Sequence, residues 1–471
     1  MCPHEQPSRR TLLKSLACGF GYLALAGVGA QTVSAEPRVN PLAPKPSHFK
    51  PRAKRVIFLF MQGGPSHIDT FDPKPRLDID DGKSIEFNVA RTRKVQARTV
   101  LKSPWTFKQY GESGRWVSSM FPLIAQNVDK LCFIKSMHTE GVAHGPSTLF
   151  LHTGATNFVR PSVGSWVTYG LGTENQNLPG FVTINPTQNM GGPRNYSNAF
   201  LPAIYQGTAI GRAGLSAKEA KFRYITNDLV PPEQQKKQFD FLQSLNREHS
   251  QAARQDDDLE AAIDSYELAY RMQMNAPGVT DLSNETEETK KLYGIGEPET
   301  DDFGRQCLIA RRFAEAGVRY IQVNYSDNGN NPKWDQHSNM KLHEKHAHAV
   351  DKPTVGLLQD LEKRGLLEDT LVWWGGEFGR TPFAEGRDGR DHNPTGFTVF
   401  LAGGGVKKGF SHGETDDYGF EAVKDKVHMH DLHATVLHLL GMDHEKLTYR
   451  YAGRDFRLTD VAGHVVSEII A

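Results

Sequence analysis

The chain has 471 residues, in which 55 Lys and Arg residues balance 55 Asp and Glu residues. A formal charge of zero excludes a long-range attraction of the whole protein to nucleic acid or to anionic lipid. An apolar content of 38%, with 44 Gly and 26 Pro, excludes a disordered chain or a plain helical bundle and is typical of a globular α/β protein with many shaped loops.

The N-terminus predicts an export signal. "SRRTLLK" (residues 8–14) is a twin-arginine motif, a weakly apolar stretch follows it, and "VSA" (residues 33–35) is a small-residue cleavage site. The apolar stretch is too short and too rich in Gly for a membrane span. We therefore expect residues 1–35 to be a signal peptide read by the twin-arginine export machinery, and a mature protein in the periplasm or outside the cell without an integral membrane segment. A retained anchor and lipidation at Cys18 are the alternatives.

The body of the chain alternates strands and helices. Residues 36–54 are basic and Pro-rich, which predicts a linker. Apolar runs of strand length occupy residues 55–61, 131–136, 318–325, 370–376 and 397–404, with helical patterns between them. This alternation predicts a three-layer α/β/α sandwich with a mostly parallel central sheet over residues 55–471. Residues 231–293 are long, polar and helical, and we expect them to form a helical insertion.

Two further features of the body concern Cys and His. Cys132 and Cys307 lie on apolar segments and are expected to be buried free thiols, with a disulfide in an oxidising compartment as the alternative. In "LHEKHAHAV", the spacing of His343, His346 and His348 favours a solvated helix surface.

Polar side chains cluster in four loops that follow predicted strands. The clusters are His67, Asp69 and Asp72; His138 and His144; Asp335 and His337; and Glu377, Asp391 and His392. Parallel α/β sheets place their sites at the carboxyl ends of the strands. Mixed imidazole and carboxylate ligands suit zinc, manganese or iron better than calcium. The clusters therefore predict a divalent metal site, with zinc as the first choice, and hydrogen-bond networks within the separate loops are the alternative.

The order of several short motifs resembles that of the alkaline phosphatase and sulfatase superfamily. His144, Pro146, Ser147, Thr153 and Gly154 fall at the spacing of the sulfatase nucleophile turn. Glu377 and Phe378 occupy the positions at which sulfatases carry an aspartate and a histidine that bind the metal. "DLHATVLHLLG" (residues 431–441) is similar to the closing segment of the sulfatase sequences. The resemblance is closest to an exported branch labelled domain of unknown function 1501. It implies an alkaline phosphatase-like fold and a metal-dependent hydrolase of phosphate or sulfate esters.

The chain departs from this pattern at reactive positions. His144 stands where sulfatases carry the cysteine that matures to formylglycine, so the resemblance does not extend to that mechanism. "QGG" follows the first strand where the superfamily has an aspartate ligand, and we expect His67 or Asp69 to compensate. Phe378 cannot bind a metal, and Thr148 replaces an arginine that serves the sulfatase nucleophile.

The residues expected at the site have three roles. The candidate metal ligands are His67, Asp69, Asp335, His337, Glu377 and His392; the reacting or proton-transferring residue is His144; and the groups that hold substrate oxygens are Arg380 and Arg390. His144, expected at a helix N-terminus, has four alternatives: to attack a phosphoryl group, to bind the metal, to act as an acid or base, or only to hold loops together.

The expected partner is a small anionic ester or a sulfated or phosphorylated glycan. Two alternatives to an ester hydrolase stay open. One is a non-catalytic protein that binds an extracytoplasmic glycan or a partner enzyme, because the expected nucleophile and two expected ligands are missing. The other is a metal-dependent phosphomutase, against which the export signal argues.

Overall fold

The computed structural model describes residues 40–222, 230–252 and 257–471. The predicted signal peptide over residues 1–35 lies outside the described residues. Pro41–Ala471 forms one compact unit. Within the described ranges, no helix combines the length and the apolar character needed to cross a membrane.

A nine-stranded sheet forms the centre of this unit. The strands of the described residues, in chain order, are β1 Arg55–Met61, β2 Ser84–Val89, β3 Lys94–Thr99, β4 Phe107–Tyr110, β5 Arg115–Ser118, β6 Leu131–His138, β7 Phe181–Ile184, β8 Thr208–Ile210, β9 Tyr320–Tyr325, β10 Thr370–Gly375, β11 Gly379–Glu385, β12 Gly389–Asn393, β13 Phe397–Ala402, β14 Phe410–His412, β15 Glu414–Thr415, β16 Ala422–Lys424, β17 Val427–His428, β18 Tyr449–Tyr451 and β19 Arg454–Phe456. The strands of the central sheet follow the order β14-β6-β13-β10-β1-β9-β7-β8, and β17 also pairs with β6. Neighbours pair in parallel except at β13, which runs antiparallel to β10 and β6.

Helices connect and cover these strands. The α-helices of the described residues are His67–Thr70, Pro75–Ile79, Pro122–Ala125, His144–Thr153, Val163–Leu171, Pro232–Ala252, Asp257–Thr280, Glu287–Leu292, Asp301–Glu315, Leu342–Lys363 and Met429–Leu439. Short 3-10 helices occur at Val128–Lys130, Gly192–Tyr196, Ala203–Tyr205, Ala217–Glu219 and Ser467–Ile469. The helices from Pro232 to Leu292 occupy the segment for which the sequence predicts an insertion.

The core shows why the central strands are apolar along their whole length. Successive side chains of a strand point to opposite faces of a sheet. Phe58 of β1 stacks on Trp373 of β10 at 3.9 Å and meets His152 of the helix His144–Thr153. Trp374 points to the other face and packs edge-on against Phe121, beside the helix Pro122–Ala125. Both faces of the sheet are therefore covered, and the predicted three-layer α/β/α sandwich with a mostly parallel sheet is confirmed.

The compact unit begins before Arg55, so the structure differs from the linker prediction. Leu42 is fully buried. The backbone N–H of Lys45 donates to the carbonyl of Leu171, and that of Ala53 to the carbonyl of Leu439, both at 2.9 Å. Residues 41–54 are thus attached to the compact unit as an irregular segment with turns and bends. Pro-rich composition disfavours helix and sheet, but it does not prevent such docking.

Within the described residues, Cys132 and Cys307 are buried free thiols, as expected from their apolar segments. Burial raises the pKa of Cys132 to about 12, and it raises the pKa of Cys307 well above its ordinary value. Because the thiolate is the reactive form, neither side chain is suited to nucleophilic chemistry.

Buried histidine should make the fold sensitive to acid. His152 packs between Phe58 and Phe60, and burial lowers its pKa from 6.5 to about 3. Between these two values the unfolded chain binds a proton that the folded chain does not, so stability is lost as the pH falls below 6.5. We expect His152 alone to account for about 1–2 kcal/mol of the stability lost between pH 7 and pH 5.

Urea unfolding at both pH values tests this expectation. His152→Leu should reduce the loss by that amount, whereas His348→Leu, at a half-exposed helix position, should leave it unchanged. An identical loss in His152→Leu and in the unaltered protein would show that this histidine does not cause the acid sensitivity.

Candidate metal centre

The carboxyl ends of β1, β9 and β10 lead into loops that meet at one edge of the sheet. Glu377 follows β10, and its carboxylate accepts the backbone N–H of Gly63, which follows β1, at 3.0 Å. Gly63 has a φ of 109°, and a Cβ there would lie 2.7 Å from the backbone nitrogen of Asp335. Glycine at this position therefore allows the loop after β1 to pass directly against the loop that carries Asp335.

Three imidazoles converge on one carboxylate oxygen at this edge. The Oδ1 atom of Asp335 lies 3.1 Å from Nε2 of His144, 2.7 Å from Nε2 of His337 and 3.3 Å from Nε2 of His392. The Nε2 atoms of His337 and His392 are 3.1 Å apart. Around an ion with ligands at about 2.0–2.2 Å, neighbouring ligand atoms are spaced at roughly 2.8–3.1 Å in a six-coordinate site, which keeps open positions, and at roughly 3.3–3.6 Å in a tetrahedral one. The four side chains, hereafter the ligand group, thus have nearly the spacing of ligands around one small ion.

Each imidazole of the ligand group is oriented through its other nitrogen. Nδ1–H of His144 donates to Oε1 of Glu377 at 2.6 Å, and Nδ1–H of His392 donates to the carbonyl of Val142 at 3.1 Å. Nδ1–H of His337 donates to Oε2 of Glu385. A carboxylate or a carbonyl oxygen accepts hydrogen bonds and cannot donate them, so each imidazole carries its proton on Nδ1. The lone pair of each Nε2 therefore faces the region around Oδ1 of Asp335. Oxygen acceptors behind metal-binding histidines act in this way.

The lone pair on Nε2 of His144 faces another acceptor. Nε2 of His144 is buried and has no hydrogen-bond partner among the described residues, although Oδ1 of Asp335 is close. Two acceptors that face each other at this distance repel unless a cation or a proton lies between them. The donor set, three nitrogens and one oxygen, suits zinc, manganese or iron, so these residues fit a divalent transition ion.

The charges around the ligand group keep Asp335 ionised. Burial raises the pKa of Asp335, but contacts with the three histidines and with Arg380 lower it more, and the net result is a pKa well below the usual range. Nη2 of Arg380 lies 2.7 Å from Oδ1. For His144, burial lowers the pKa, while Asp335 and Glu377 raise it by more. A proton and a metal ion therefore compete for this imidazole.

The structure brings together four of the residues that the sequence singles out, namely Asp335, His144, His337 and His392. Glu377, expected to be a ligand, is fully buried behind His144 and orients it. Glu385 and the carbonyl of Val142 were not predicted. The Gly-rich turn after Glu385 indicates a hairpin, but only the pairing of β11 with β12 places this carboxylate behind His337.

His67 and Asp69 lie outside the ligand group, which corrects the expectation that one of them replaces the missing aspartate. Nε2–H of His67 donates to the carbonyl of Gly419 at 2.7 Å, and burial lowers its pKa to about 4. Asp69 accepts from Nε of Arg390 at 2.7 Å and from Ser66. The helical turn His67–Thr70 thus directs Asp69 towards β12. Asp72 is also elsewhere, paired with Lys74 and Lys135.

Arg380 and Arg390 are not available to a substrate, which corrects their expected role. Both side chains are fully buried. Arg380 donates to Asp335 and to the carbonyls of Gly63, Gly64 and Arg390. Arg390 donates to Asp69 and to the carbonyl of Thr381. A buried guanidinium group needs such internal acceptors, and here they occupy the fork that a substrate oxyanion would use.

The ligand group is covered by Phe378 on one side and is open to solvent beside His337. The ring of Phe378 stacks on His392 at 4.4 Å and lies 5.0 Å from His144, so it covers them with an apolar surface. The side chain of His337 is 25% exposed, the most of the four side chains. Solvent therefore reaches the group beside His337.

Solved structures with a similar backbone include three proteins of low sequence identity. The lipoteichoic acid synthase LtaP from Listeria monocytogenes is 9% identical, with a TM-score of 0.36 over 89% of this chain and 78% of that chain. The PsFucS1 sulfatase from Pseudoalteromonas sp. is 11% identical, with a TM-score of 0.30 over 84% and 69%. The alkaline phosphatase from the Antarctic bacterium TAB5 is 11% identical, with a TM-score of 0.33 over 82% and 98%.

No curated protein matches the sequence of the chain. One family model does match it, over residues 53–470, which include every strand of the central sheet and the whole ligand group. Its description is "Protein of unknown function (DUF1501)", and the chain belongs to this family.

Proposed function

We propose that the chain is an exported, metal-dependent hydrolase of phosphate or sulfate esters, and that Asp335, His144, His337 and His392 hold its divalent ion. The observation that carries this proposal is the convergence of three Nε2 lone pairs on Oδ1 of Asp335, each imidazole being oriented by an oxygen acceptor at Nδ1. Of the alternatives for His144, this geometry favours the metal ligand. The twin-arginine motif supports export to the periplasm or beyond the cell.

A zinc, manganese or iron ion in this group would supply Lewis-acid activation of water and of an ester oxygen near neutral pH. The protein residues have separate tasks. Glu377 and Glu385 hold His144 and His337 in the orientation for binding. Arg380 balances the charge of Asp335 from the buried side. Phe378 keeps water away from His144 and His392, so that an ester approaches beside His337.

Turnover tests the proposed reaction. The mature chain, loaded in turn with zinc, manganese or iron, is assayed with an aryl phosphate and an aryl sulfate. We expect hydrolysis of at least one ester, and a loss of roughly 100-fold or more in His337→Ala, because the ion would lose an open-side ligand. His348→Ala, a half-exposed histidine on the helix Leu342–Lys363, is the matched control and should keep full activity.

A non-catalytic binding protein is the second candidate, and one observation favours it. The internal acceptors of Arg380 and Arg390 leave neither guanidinium group free for a substrate oxyanion. Metal-loaded protein that hydrolyses neither ester, but binds sulfated or phosphorylated glycans in a manner lost in His337→Ala, would replace the hydrolase proposal with this one.

A further inference from the structure

A cavity of about 530 Å³ opens at the same edge of the sheet, beyond β7 and β8. Thr187 and Gln188, which follow β7, form one side, and Arg212, which follows β8, forms another. The helix Asp257–Thr280 closes it with Met272. Small-molecule sites have volumes of about 300–1,000 Å³ and favour the carboxyl ends of parallel strands. Size and position are therefore those of a ligand site.

The lining combines a cation with free polar groups. Among the residues that the structure describes, the guanidinium group of Arg212 has no hydrogen-bond or ion-pair partner, and the side-chain amide of Gln188 has none either. Arg212 is exposed. Gly211, with a φ of 65°, turns the chain so that Arg212 follows β8 directly into the cavity wall. A guanidinium fork without an internal acceptor is suited to carboxylate or sulfate.

A buried acceptor borders the same wall. Asn185 is 3% exposed, and its Oδ1 has no donor among the described residues. A Cβ on Gly211 would lie 2.1 Å from this oxygen, so Asn185 lies directly against the cavity lining. The lining also includes the aromatic side chains of Tyr196 and Phe222. The side-chain amide of Gln188 is suited to bind sugar hydroxyl groups, the aromatic rings are suited to pack against a sugar ring, and Arg212 is suited to pair with an acidic substituent.

We propose that this cavity binds a sugar that carries one acidic group, with the acidic group on Arg212. The site is separate from the ligand group and does not depend on hydrolysis. Loops also connect the two sites: Oγ1 of Thr187 donates to the carbonyl of Asp327 at 3.0 Å, and the backbone N–H of Gln188 donates to Oδ1 of Asn328 at 2.8 Å, in the loop that leads to Asp335.

Binding of three sugars by titration calorimetry at low salt tests the proposal. Glucuronic acid and N-acetylglucosamine 6-sulfate distinguish a carboxylate from a sulfate, and N-acetylglucosamine is the uncharged reference. We expect at least one acidic sugar to bind, and Arg212→Ala to weaken it roughly tenfold or more. Arg194→Ala, an exposed arginine on the adjoining 3-10 helix, is the matched control and should change the affinity less than twofold.

Two further variants distinguish binding in this cavity from binding or hydrolysis at the ligand group. Ala209→Phe should block the cavity sterically, since Ala209 lines it. His337→Ala should bind the acidic sugar normally, so failure of the proposed hydrolase would leave this result intact. The proposal is overturned if no acidic sugar binds at 10 mM, roughly the weakest affinity that titration resolves, if the uncharged sugar binds equally well, or if Arg212→Ala binds like the unaltered chain.

Discussion

Replacing Asp335 with asparagine is expected to abolish metal binding and to destabilise the fold in the same step. The substitution removes the carboxylate on which the three imidazoles converge. It also leaves the fully buried guanidinium group of Arg380 without its carboxylate partner. Removal of one partner from a buried ion pair costs about 3–5 kcal/mol. Metal content by elemental analysis and stability by urea unfolding measure the two effects separately.

A double variant distinguishes the ligand role of Asp335 from its structural role. In Asp335→Asn/Arg380→Met the unpaired charge is gone, so we expect stability to recover by a few kcal/mol, about the size of the penalty for an unpaired buried charge. Metal binding should stay absent, because the anionic ligand is still missing. Retention of a full equivalent of metal in either variant would contradict the assignment of Asp335 as a ligand.

Breaking the pair of Asp69 and Arg390 should destabilise the protein as strongly without affecting the metal. Both side chains are fully buried, and Arg390 contacts both carboxylate oxygens, at 2.7 and 3.2 Å. Asp69→Ala leaves the guanidinium charge buried and unpaired, with an expected cost of about 3–5 kcal/mol in urea unfolding. Metal content per folded chain should stay unchanged, because Asp69 lies outside the ligand group.

Loss of metal without loss of stability in Asp69→Ala would contradict this expectation. If Asp69→Ala remained stable but lost its metal, Asp69 would be a ligand, as its place after the first strand indicates in the sequence. Asp69→Leu/Arg390→Met is the companion variant, and it should regain most of the stability because neither charge is left buried.

The strands could be predicted from sequence because burial on both faces makes their apolar runs continuous. β1 and β10 begin at the predicted residues, and β1 also ends at its predicted residue. The proximity of His392 on β12 to Asp335 and His337 after β9 could be predicted too, since polar loops at strand ends collect at one edge of the sheet. Sequence periodicity was insufficient to predict the environment of His343. This side chain is fully buried and its Nε2 accepts a hydrogen bond from the backbone N–H of Ser66, so the prediction of a solvated helix surface is wrong at this residue.

The remaining differences depend on contacts between distant segments. Whether Arg380 and Arg390 face a substrate or the protein depends on carbonyls and carboxylates from other loops, such as Gly63 and Asp69. Glu385 takes its place behind His337 through the register of one hairpin, which sequence spacing does not fix. Local patterns therefore identify the residue types of the site, whereas the division into ligands, orienting groups and buried counter-charges follows from the packed structure.

Anomalous X-ray diffraction from crystals of the purified protein, collected on both sides of the zinc, manganese and iron absorption edges, tests the central claim most directly. We expect one strong peak at about 2.0–2.2 Å from Oδ1 of Asp335 and from the Nε2 atoms of His144, His337 and His392. A map without a peak among these four atoms, or with the ion bound at His67 or elsewhere, would contradict the assignment of this group as the metal centre.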